Sequence, residues 1–190
     1  MATQDVRYYL NGLLLLVDGS ELRAVATDGH RLAFASMALE GQGVDSLPRQ
    51  EMILPRKTVI ELNRLLADSD DLLELALTPN QVRFTFGNVV LVSKLIDGKF
   101  PDYERVIPSQ LRNTLTLPRA TLLSSLVRVK ILTNEKFSGV RLVAADNTLK
   151  LNAANAEQEE AQEELEVRYD GEPLDVGFNV NYLLDVLNNI

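Results

Sequence analysis

The sequence predicts an α+β protein in which antiparallel sheets carry helices on one face. Short apolar and β-branched runs alternate with turn-forming pairs, such as Pro-Asn at 79–80 and Gly-Asn at 87–88, as is typical of antiparallel strands. Two segments with apolar residues at helical spacing follow directly after strands. Each begins at a proline, Pro55 or Pro118, and a helix tolerates proline at its entry.

The first half of the chain is predicted to hold seven strands and one helix. Asp-Gly-Ser at 18–20 and a glycine-containing loop separate the first strands. The predicted elements are strands at 6–17, 21–26, 32–36 and 52–54, a helix from Pro55 with Val59, Leu62, Leu65 and Leu66 inward, and strands at 73–77, 81–86 and 89–94.

Segment 97–110 has neither strand nor helix periodicity, so we predict a connector there, between a domain at 1–96 and a domain at 111–190. The pattern then starts again. The predicted elements are a strand at 115–117, a helix from Pro118 with Leu122, Leu123, Leu126 and Val127 inward, strands at 139–144, 148–152, 163–169 and 174–178, and a helix at 182–187.

The order strand, helix, three strands recurs with a period of roughly 60 residues. Segments 54–58 (LPRKT) and 117–121 (LPRAT) are nearly identical. The chain opens with the last three strands of one such unit and stops after the strand and helix of another. We therefore expect a fold that is incomplete at both ends, with exposed apolar surfaces that associate.

Composition narrows the function classes. With 190 residues and 46% hydrophobic content, the chain can bury a core, and it has no cysteine for a disulfide or thiolate metal site. It contains no apolar run of about 18 residues, so we expect a soluble, cytoplasmic protein without a membrane contact. We also expect no metal and no cofactor. The net charge of -8 argues against general nucleic-acid binding, although the charges are unevenly distributed.

The only histidine, His30, lies in segment 27–32 (TDGHRL), which we predict to be the tip of a β-hairpin. Asp28 and Gly29 would supply the positive φ values of a tight turn. An enzyme using Asp28 and His30 as an acid–base pair is the rival interpretation. The chain has no second histidine, no Gly-x-Ser-x-Gly sequence and no glycine-rich phosphate loop, so we predict that it is not an enzyme.

Five short segments occur in the same order as in the bacterial DNA sliding clamp family, the beta subunit of DNA polymerase III, and resemble that family's sequences: 4–12, 25–32, 100–103, 134–137 and 177–180. The resemblance covers the later part of the family's second domain and the earlier part of its third. It implies a DNA clamp fold and a processivity factor of DNA replication that encircles duplex DNA. In the family two subunits close head to tail into a ring, which we do not expect this chain to form.

The resemblance also implies a groove between the second and third domains. There the replicative polymerase, the clamp loader and repair proteins insert a short peptide with a glutamine and a hydrophobic pair. The residues that match the groove are Leu10, Thr27, Gly29, His30, Arg31, Leu32, Pro101, Arg105, Val106, Phe137, Asn179 and Tyr182. Taken singly, each residue is more typical of a core or a turn than of a binding site. An unrelated repeat-built peptide- or protein-binding module is therefore the alternative function.

Two further surfaces follow from the resemblance. Gln4, Tyr8, Tyr9, Arg56 and Lys57 match positions that contact DNA, and Arg119, Arg128 and Lys130 add positive charge that would bind phosphates without reading sequence. The alternative is an ordinary solvated helix face. Residues that match the third domain's half of the subunit interface are Ile131, Leu132, Glu157, Glu159, Glu160, Glu163 and Glu164, and a charged strand edge is the alternative.

Overall fold

The computed structural model describes residues 1–39, 44–67, 69–111, 113–133 and 138–190. These residues form two compact units, 1–107 and 108–190. Each unit has apolar clusters that consist of its own residues.

The first unit contains two antiparallel sheets and one α-helix. Strands β1 to β4 form a sheet in the order β3-β2-β1-β4, and β5 to β7 form a second sheet in chain order. Short 3-10 turns cover Tyr8–Asn11, Val44–Ser46 and Tyr103–Arg105. The elements are β1 (Gly12–Asp18), β2 (Glu21–Thr27), β3 (Leu32–Ala38), β4 (Gln50–Pro55), α1 (Arg56–Leu66), β5 (Glu74–Leu77), β6 (Gln81–Phe86) and β7 (Val89–Lys94).

The core of the first unit lies on both faces of β1. Successive side chains of a strand point to opposite faces, so Leu14 and Leu15 enter different clusters. Leu14 packs with Val25, Ile53, Phe100 and Tyr103. Leu15 joins a second cluster that also contains residues of β4, β6 and α1. Burial on both faces explains why 13–16 is an unbroken run of leucines rather than an alternating pattern.

The predicted strand at 6–17 is too long. Residues Tyr8–Asn11 form a 3-10 turn, and β1 begins only at Gly12. Side-chain bonds to the backbone favour the turn over a strand. The Asp5 N–H donates to Asn11 Oδ1 at 3.0 Å, and Asn11 Nδ2 donates to the Asp5 carbonyl oxygen at 2.9 Å.

The second unit likewise contains two antiparallel sheets, and β9 and β10 are the central strands of the larger one. Its four-stranded sheet has the order β11-β10-β9-β13, while β8 pairs with β12. Leu126, Val129 and Leu184 pack from the helices against Leu149 and Leu151 of the sheet. The elements are β8 (Leu115–Thr116), α2 (Arg119–Lys130), β9 (Gly139–Ala145), β10 (Thr148–Ala154), β11 (Glu160–Glu166), β12 (Arg168–Tyr169), β13 (Leu174–Asn179) and α3 (Val180–Leu187).

Two predicted boundaries in this unit are wrong. The predicted strand at 163–169 is two strands, because the Val167 N–H bonds to the Asn147 carbonyl at 2.9 Å and turns the chain toward β8. The last helix begins at Val180 rather than at 182, because the Asn179 side chain accepts from the Asn181 N–H and caps the helix.

The predicted strand–helix–three-strand repeat is confirmed, and so is the α+β fold. The strand that precedes a helix pairs antiparallel with the first strand of the preceding three-stranded meander, β4 with β1 and β13 with β9. The two strand pairs end at equivalent residues. Gly12 lies opposite Pro55, directly before α1, and Gly139 lies opposite Asn179, directly before α3.

The two equivalent glycines differ in their surroundings, and this difference gives a testable prediction. A Cβ atom at Gly12 would lie 2.6 Å from the Leu54 carbonyl oxygen and 2.7 Å from Ile53 Cγ2, whereas a Cβ at Gly139 would meet nothing within 4 Å. We expect Gly12→Ala to lower the free energy of unfolding of the first unit by about 1–3 kcal/mol through overpacking. Gly139→Ala is the matched control and should change stability by less than about 0.5 kcal/mol. Denaturant unfolding measures both, and equal losses would contradict the prediction.

A second prediction concerns the Asp5–Arg7 pair. Hydrogen bonds from the Arg7 side chain and backbone N–H lower the pKa of Asp5 from its ordinary 3.8 to about 2. Because the folded pKa lies below the unfolded one, the pair stabilises the folded state above pH 3.8 and loses this effect as the pH falls toward 2. An NMR titration of the Asp5 carboxyl carbon should show the low pKa, and Arg7→Gln should return it toward 3.8. Arg105→Gln, which removes the partner of Asp102 instead, should leave the Asp5 titration unchanged.

Candidate peptide- and DNA-binding surfaces

The hairpin that contains His30 is fixed by its own side chains. Thr27 Oγ1 accepts from the Gly29 N–H at 3.0 Å and donates to the Arg31 carbonyl at 2.8 Å. The Asp28 carboxylate accepts from the N–H groups of His30 and Arg31 at 3.0 and 3.1 Å. The turn is therefore rigid, while Gly29, His30 and Arg31 remain exposed at its tip.

The predicted hairpin is confirmed in position, but its turn differs from the prediction. Thr27 pairs with Leu32, so the loop has four residues, 28–31. Within this loop, only Gly29 has a positive φ, of +88°. Asp28 uses its side chain to hold the loop, which is a common role of aspartate in turns.

The pKa of Asp28 reflects this structural role. Partial burial alone would raise the pKa, but hydrogen bonds from the His30 and Arg31 N–H groups and from the Arg31 guanidinium hold it below its ordinary value. Arg31 Nε lies 3.1 Å from Asp28 Oδ2. The Asp28 carboxylate is thus engaged with backbone N–H groups of the turn and with the Arg31 side chain.

Arg7 lies directly against the hairpin tip. A Cβ atom at Gly29 would be only 3.0 Å from Arg7 Nη2, so the guanidinium lies close against one side of the glycine. Asp5 holds Arg7 in place with an ion pair of 2.7 Å. The sequence interpretation did not single out Asp5 or Arg7, since their meeting with residue 29 depends on the 3-10 turn that replaced the predicted strand.

The other candidate groove residues of the first unit lie around the cluster that Leu14 joins. Leu32 is half-buried against it, and Phe100 and Tyr103, which flank Pro101, belong to it. Arg105 and Val106 follow at its border; Val106 is 65% exposed, and Arg105 Nε lies 2.8 Å from Asp102.

Accessibility differs among the predicted groove residues. Leu10 is only 2% exposed, so it offers almost no contact surface to a peptide. In the second unit, Asn179 caps α3 and Tyr182 is half-buried on that helix. Asn179 also lines a cavity of about 770 Å³ at the ends of β9, β10, β11 and β13. Phe137 lies outside the described residues.

The predicted DNA-contacting cations differ in whether they form ion pairs or hydrogen bonds with other residues of the chain. Arg56 and Lys57 occupy the first turn of α1, are exposed, and form no ion pair with any described residue. Positive charges at a helix N-terminus oppose the helix dipole, and no acidic residue accompanies them in that turn. Their position is therefore unfavourable for the helix alone and suits an external anion.

Two of the three predicted cations of the second unit, Arg119 and Arg128, bond to other residues of that unit. Arg119 Nε donates to the Leu187 carbonyl at 2.5 Å, at the end of α3. Arg128 forms a two-pronged pair with Glu163, with its Nη2 2.6 Å from Glu163 Oε2. Lys130 is exposed.

Gln4 and the two tyrosines belong to the segment that ends in the first 3-10 turn. Gln4 and Tyr8 are exposed, and Tyr9 is half-buried. The two tyrosine rings meet edge to face with centroids 5.8 Å apart. This contact holds the exposed Tyr8 ring beside the buried part of the segment.

The candidate subunit interface is an acidic strand edge. Glu157 and Glu160 are exposed, and Ile131, just after α2, is 77% exposed beside the half-buried Leu132. Three of the glutamates have partners inside the unit. Glu159 accepts from Asn155, Glu164 lies 3.3 Å from Lys150, and the Arg128 guanidinium lowers the pKa of Glu163.

The residues that the structure describes show neither a membrane-spanning helix nor a candidate metal site. Their helices include none that is both long and apolar enough to cross a bilayer. In the same residues, no three histidine, cysteine, aspartate or glutamate side chains cluster in a way that could hold a metal ion.

Comparison with known families gives a match over nearly the whole chain. Residues 1–102 match the model of the DNA polymerase III beta subunit, central domain, and residues 104–190 match the model of its C-terminal domain. The Beta sliding clamp of Salmonella typhimurium is 52% identical over 188 residues, covering 99% of this chain and 50% of the relative. The Beta sliding clamp of Pseudomonas aeruginosa is 50% identical over 190 residues, covering 100% of this chain and 51% of the relative.

Solved structures agree with this match. The crystal structure of the DNA polymerase III subunit beta from Pseudomonas aeruginosa superposes with a TM-score of 0.94 at 49% identity, covering 99% of this chain and 51% of that one. A DnaN sliding clamp from the same organism, bound to griselimycin, has a TM-score of 0.92 at 49% identity and covers 100% of this chain and 51% of that one.

The chain spans about half the length of the curated relatives it matches. Both family models and the fold similarity point to the same group of proteins. The chain therefore belongs to the family of the DNA polymerase III beta subunit, the bacterial beta sliding clamp, and matches its central and C-terminal domains.

Proposed function

We propose that this chain functions as part of a replication processivity clamp in the bacterial cytoplasm. The whole clamp would encircle duplex DNA, and the part described by this chain would tether polymerases, the clamp loader and repair proteins through short peptides. The observation that supports this most directly is the rigid hairpin tip at 27–32, which shares an apolar cluster with the segment around Pro101. Proteins of this family act as processivity factors, and we propose no catalytic step.

The hairpin tip and the residues after Phe100 have the composition of a peptide-docking surface. Leu32 and Val106 offer partly exposed apolar contacts, and Thr27, His30 and Arg31 provide polar groups around them. Apolar anchors bordered by a few fixed polar groups favour recognition of a short peptide. Arg7, held by Asp5 over Gly29, keeps the tip in one conformation, so a peptide would not have to order it.

For DNA we propose contacts to phosphates alone. Arg56 and Lys57 are exposed on α1 without ion-pair partners among the described residues, and Gln4 and Tyr8 are exposed on the N-terminal segment. Such contacts bind the backbone of any sequence. Arg128 is a weaker candidate, because Glu163 already neutralises its charge.

The acidic edge of β11 is proposed to face a basic edge of another subunit. Glu157 and Glu160, together with the exposed Ile131, fit such a contact by charge and apolar character. Glu163 would instead fix β11 to α2 through Arg128 and Ser125. Its contribution to an interface would therefore be indirect.

If a peptide docks on this surface, substitution of Leu32 should lower the affinity for that peptide. Leu32→Ala should weaken binding of a fluorescent clamp-binding peptide, carrying a glutamine and a hydrophobic pair, by about tenfold, because it truncates an apolar anchor. Fluorescence anisotropy up to millimolar peptide measures this, and the dispersion of the NMR spectrum checks that the hairpin remains folded. Val90→Ala, at an exposed position of β7, is the control and should leave affinity unchanged. Absence of binding at millimolar peptide, or equal affinity of the Leu32→Ala variant, would argue against this site.

DNA contact predicts a dependence on charge and salt. Arg56→Glu and Lys57→Glu should each weaken binding to a DNA duplex at low ionic strength and make the salt dependence shallower by roughly one phosphate contact. Arg64→Glu is the control on the same helix, because Arg64 is already paired with Glu61 at 2.5 Å. Electrophoretic mobility shifts across a salt series measure the effect. Sequence-selective binding that resists salt would overturn the proposal.

A further inference from the structure

Arg23 is a charged side chain that lies largely inside the first unit. It is the third residue of β2, and its side chain is only 24% exposed. Successive side chains of a strand alternate between faces, so Arg23 lies on the same face as Val25, which belongs to the cluster around Leu14. A guanidinium at the border of an apolar cluster is unfavourable unless it is hydrogen-bonded, so its partners indicate what it does.

Two partners of Arg23 lie 80 and 81 positions later in the chain. Its Nη1 donates to the Tyr103 hydroxyl at 3.3 Å and to Glu104 Oε1 at 3.0 Å. Its Nη2 donates to Glu21 Oε2 at 2.7 Å, so a carboxylate on the same strand orients the guanidinium. One rigid planar group therefore binds two consecutive residues of the 3-10 turn at 103–105.

The Nε atom of Arg23 supports a role in positioning rather than in packing. It is buried and has no hydrogen-bond partner among the residues that the structure describes. An unpaired buried N–H group lowers stability, and an aliphatic side chain of similar length would fill the same place without that cost. The presence of an arginine is therefore explained by the bonds that its other nitrogens make to the turn.

Tyr103 is the residue through which the turn is fixed. Its side chain is buried in the apolar cluster, with its ring 6.0 Å from that of Phe34. Its carbonyl oxygen accepts from the N–H groups of Val106 and Ile107 at 3.0 and 3.3 Å. Apolar contacts are not directional, so they alone leave the ring free to shift within the cluster. The bond from Arg23 to the hydroxyl is directional and sets how the turn lies on β2.

We propose that Arg23 is a positioning residue for peptide docking, because it fastens the turn at 103–105 to β2 and thereby holds Val106 in a fixed place relative to Leu32. This inference rests on the proposed function, in which both of these apolar side chains contact a short peptide. Val106 directly follows the turn, so its place depends on how the turn is held. Arg23 acts through the turn and does not contact the peptide itself. A surface that is already ordered binds more tightly, since the peptide does not have to order it.

Arg49 provides a matched comparison beside the same sheet. Like Arg23, it pairs with two carboxylates, those of Asp18 at 3.3 Å and Glu51 at 2.8 Å. These partners belong to β1 and β4, outside the turn. Substitution of Arg49 therefore removes two ion pairs from the unit without releasing the turn.

The test is the affinity of the full chain for a fluorescent peptide that carries a glutamine and a hydrophobic pair, measured by anisotropy. Arg23→Gln should weaken binding by about three- to tenfold, because only the fraction of molecules with the turn in place can bind. Arg49→Gln should leave the affinity unchanged. Tyr103→Phe, which keeps the ring and removes the hydroxyl, should also weaken binding. The double variant should lose little more than Arg23→Gln alone, because both substitutions break the same bond.

Amide hydrogen exchange shows whether the turn itself is released. In the Arg23→Gln variant the amides of Val106 and Ile107, which bond to the Tyr103 carbonyl, should exchange faster than in the wild type. The amides of β2 should exchange at the wild-type rate. General destabilisation of the unit would instead accelerate the β2 amides as well, and that result would argue against a positioning role.

The outcomes separate this inference from the docking proposal on which it rests. If Leu32→Ala weakens peptide binding but Arg23→Gln does not, the positioning role is overturned and peptide docking stands. An equal loss with Arg49→Gln would also overturn it, since the loss of any charged group would then explain the effect. If the wild type does not bind at millimolar peptide, docking fails, and this inference fails with it.

Discussion

Burial of both faces of β1 is the constraint on which the first unit depends. The strand lies between β2 and β4 in the sheet, and Leu14 and Leu15 anchor clusters on opposite faces. One face holds Phe100 and Tyr103, and through them the candidate peptide surface. The other face holds α1 and β6, and through α1 the exposed cations of its first turn. Both candidate surfaces are therefore positioned by one central strand.

The internal repeat places equivalent residues in different surroundings. Leu54 and Phe178 both stand two residues before a helix, on strands that pair in the same way. Leu54 is 2% exposed because the β5–β7 sheet covers it, whereas Phe178 is 42% exposed. Equivalent positions in the repeat thus share backbone geometry but not burial. Substitutions cannot be transferred between the units without checking what covers each site.

The sequence predicted elements well where a local signal sets them. Pro55 and Pro118 mark the residue before each of two helices, and Gly-Asn at 87–88 forms the turn between β6 and β7. Prediction failed where distant or side-chain bonds decide. The segment 6–17 looked like one strand because Asn11 closing back on Asp5 is invisible in the periodicity. The break near Val167 depends on Asn147 in the same way.

For the candidate sites, the sequence indicated which residues to consider, but it did not show which of them are exposed and unpaired. The resemblance supplied the residues, but only the structure shows that Leu10 is buried and that Arg128 is paired with Glu163 across 35 positions. Arg7 was missed because its role depends on a glycine 22 positions later that leaves room for the guanidinium. Such contacts depend on the folded chain rather than on residue type.

The separate apolar clusters of the two units have a thermodynamic consequence. No residue of the cluster around Leu126 belongs to the first unit, and none of those around Leu14 and Leu15 belongs to the second. Two-state behaviour is characteristic of a small single domain. Each unit therefore has its own melting enthalpy, which scales with the size of that unit. A single melting temperature would average them and conceal which half a substitution affects.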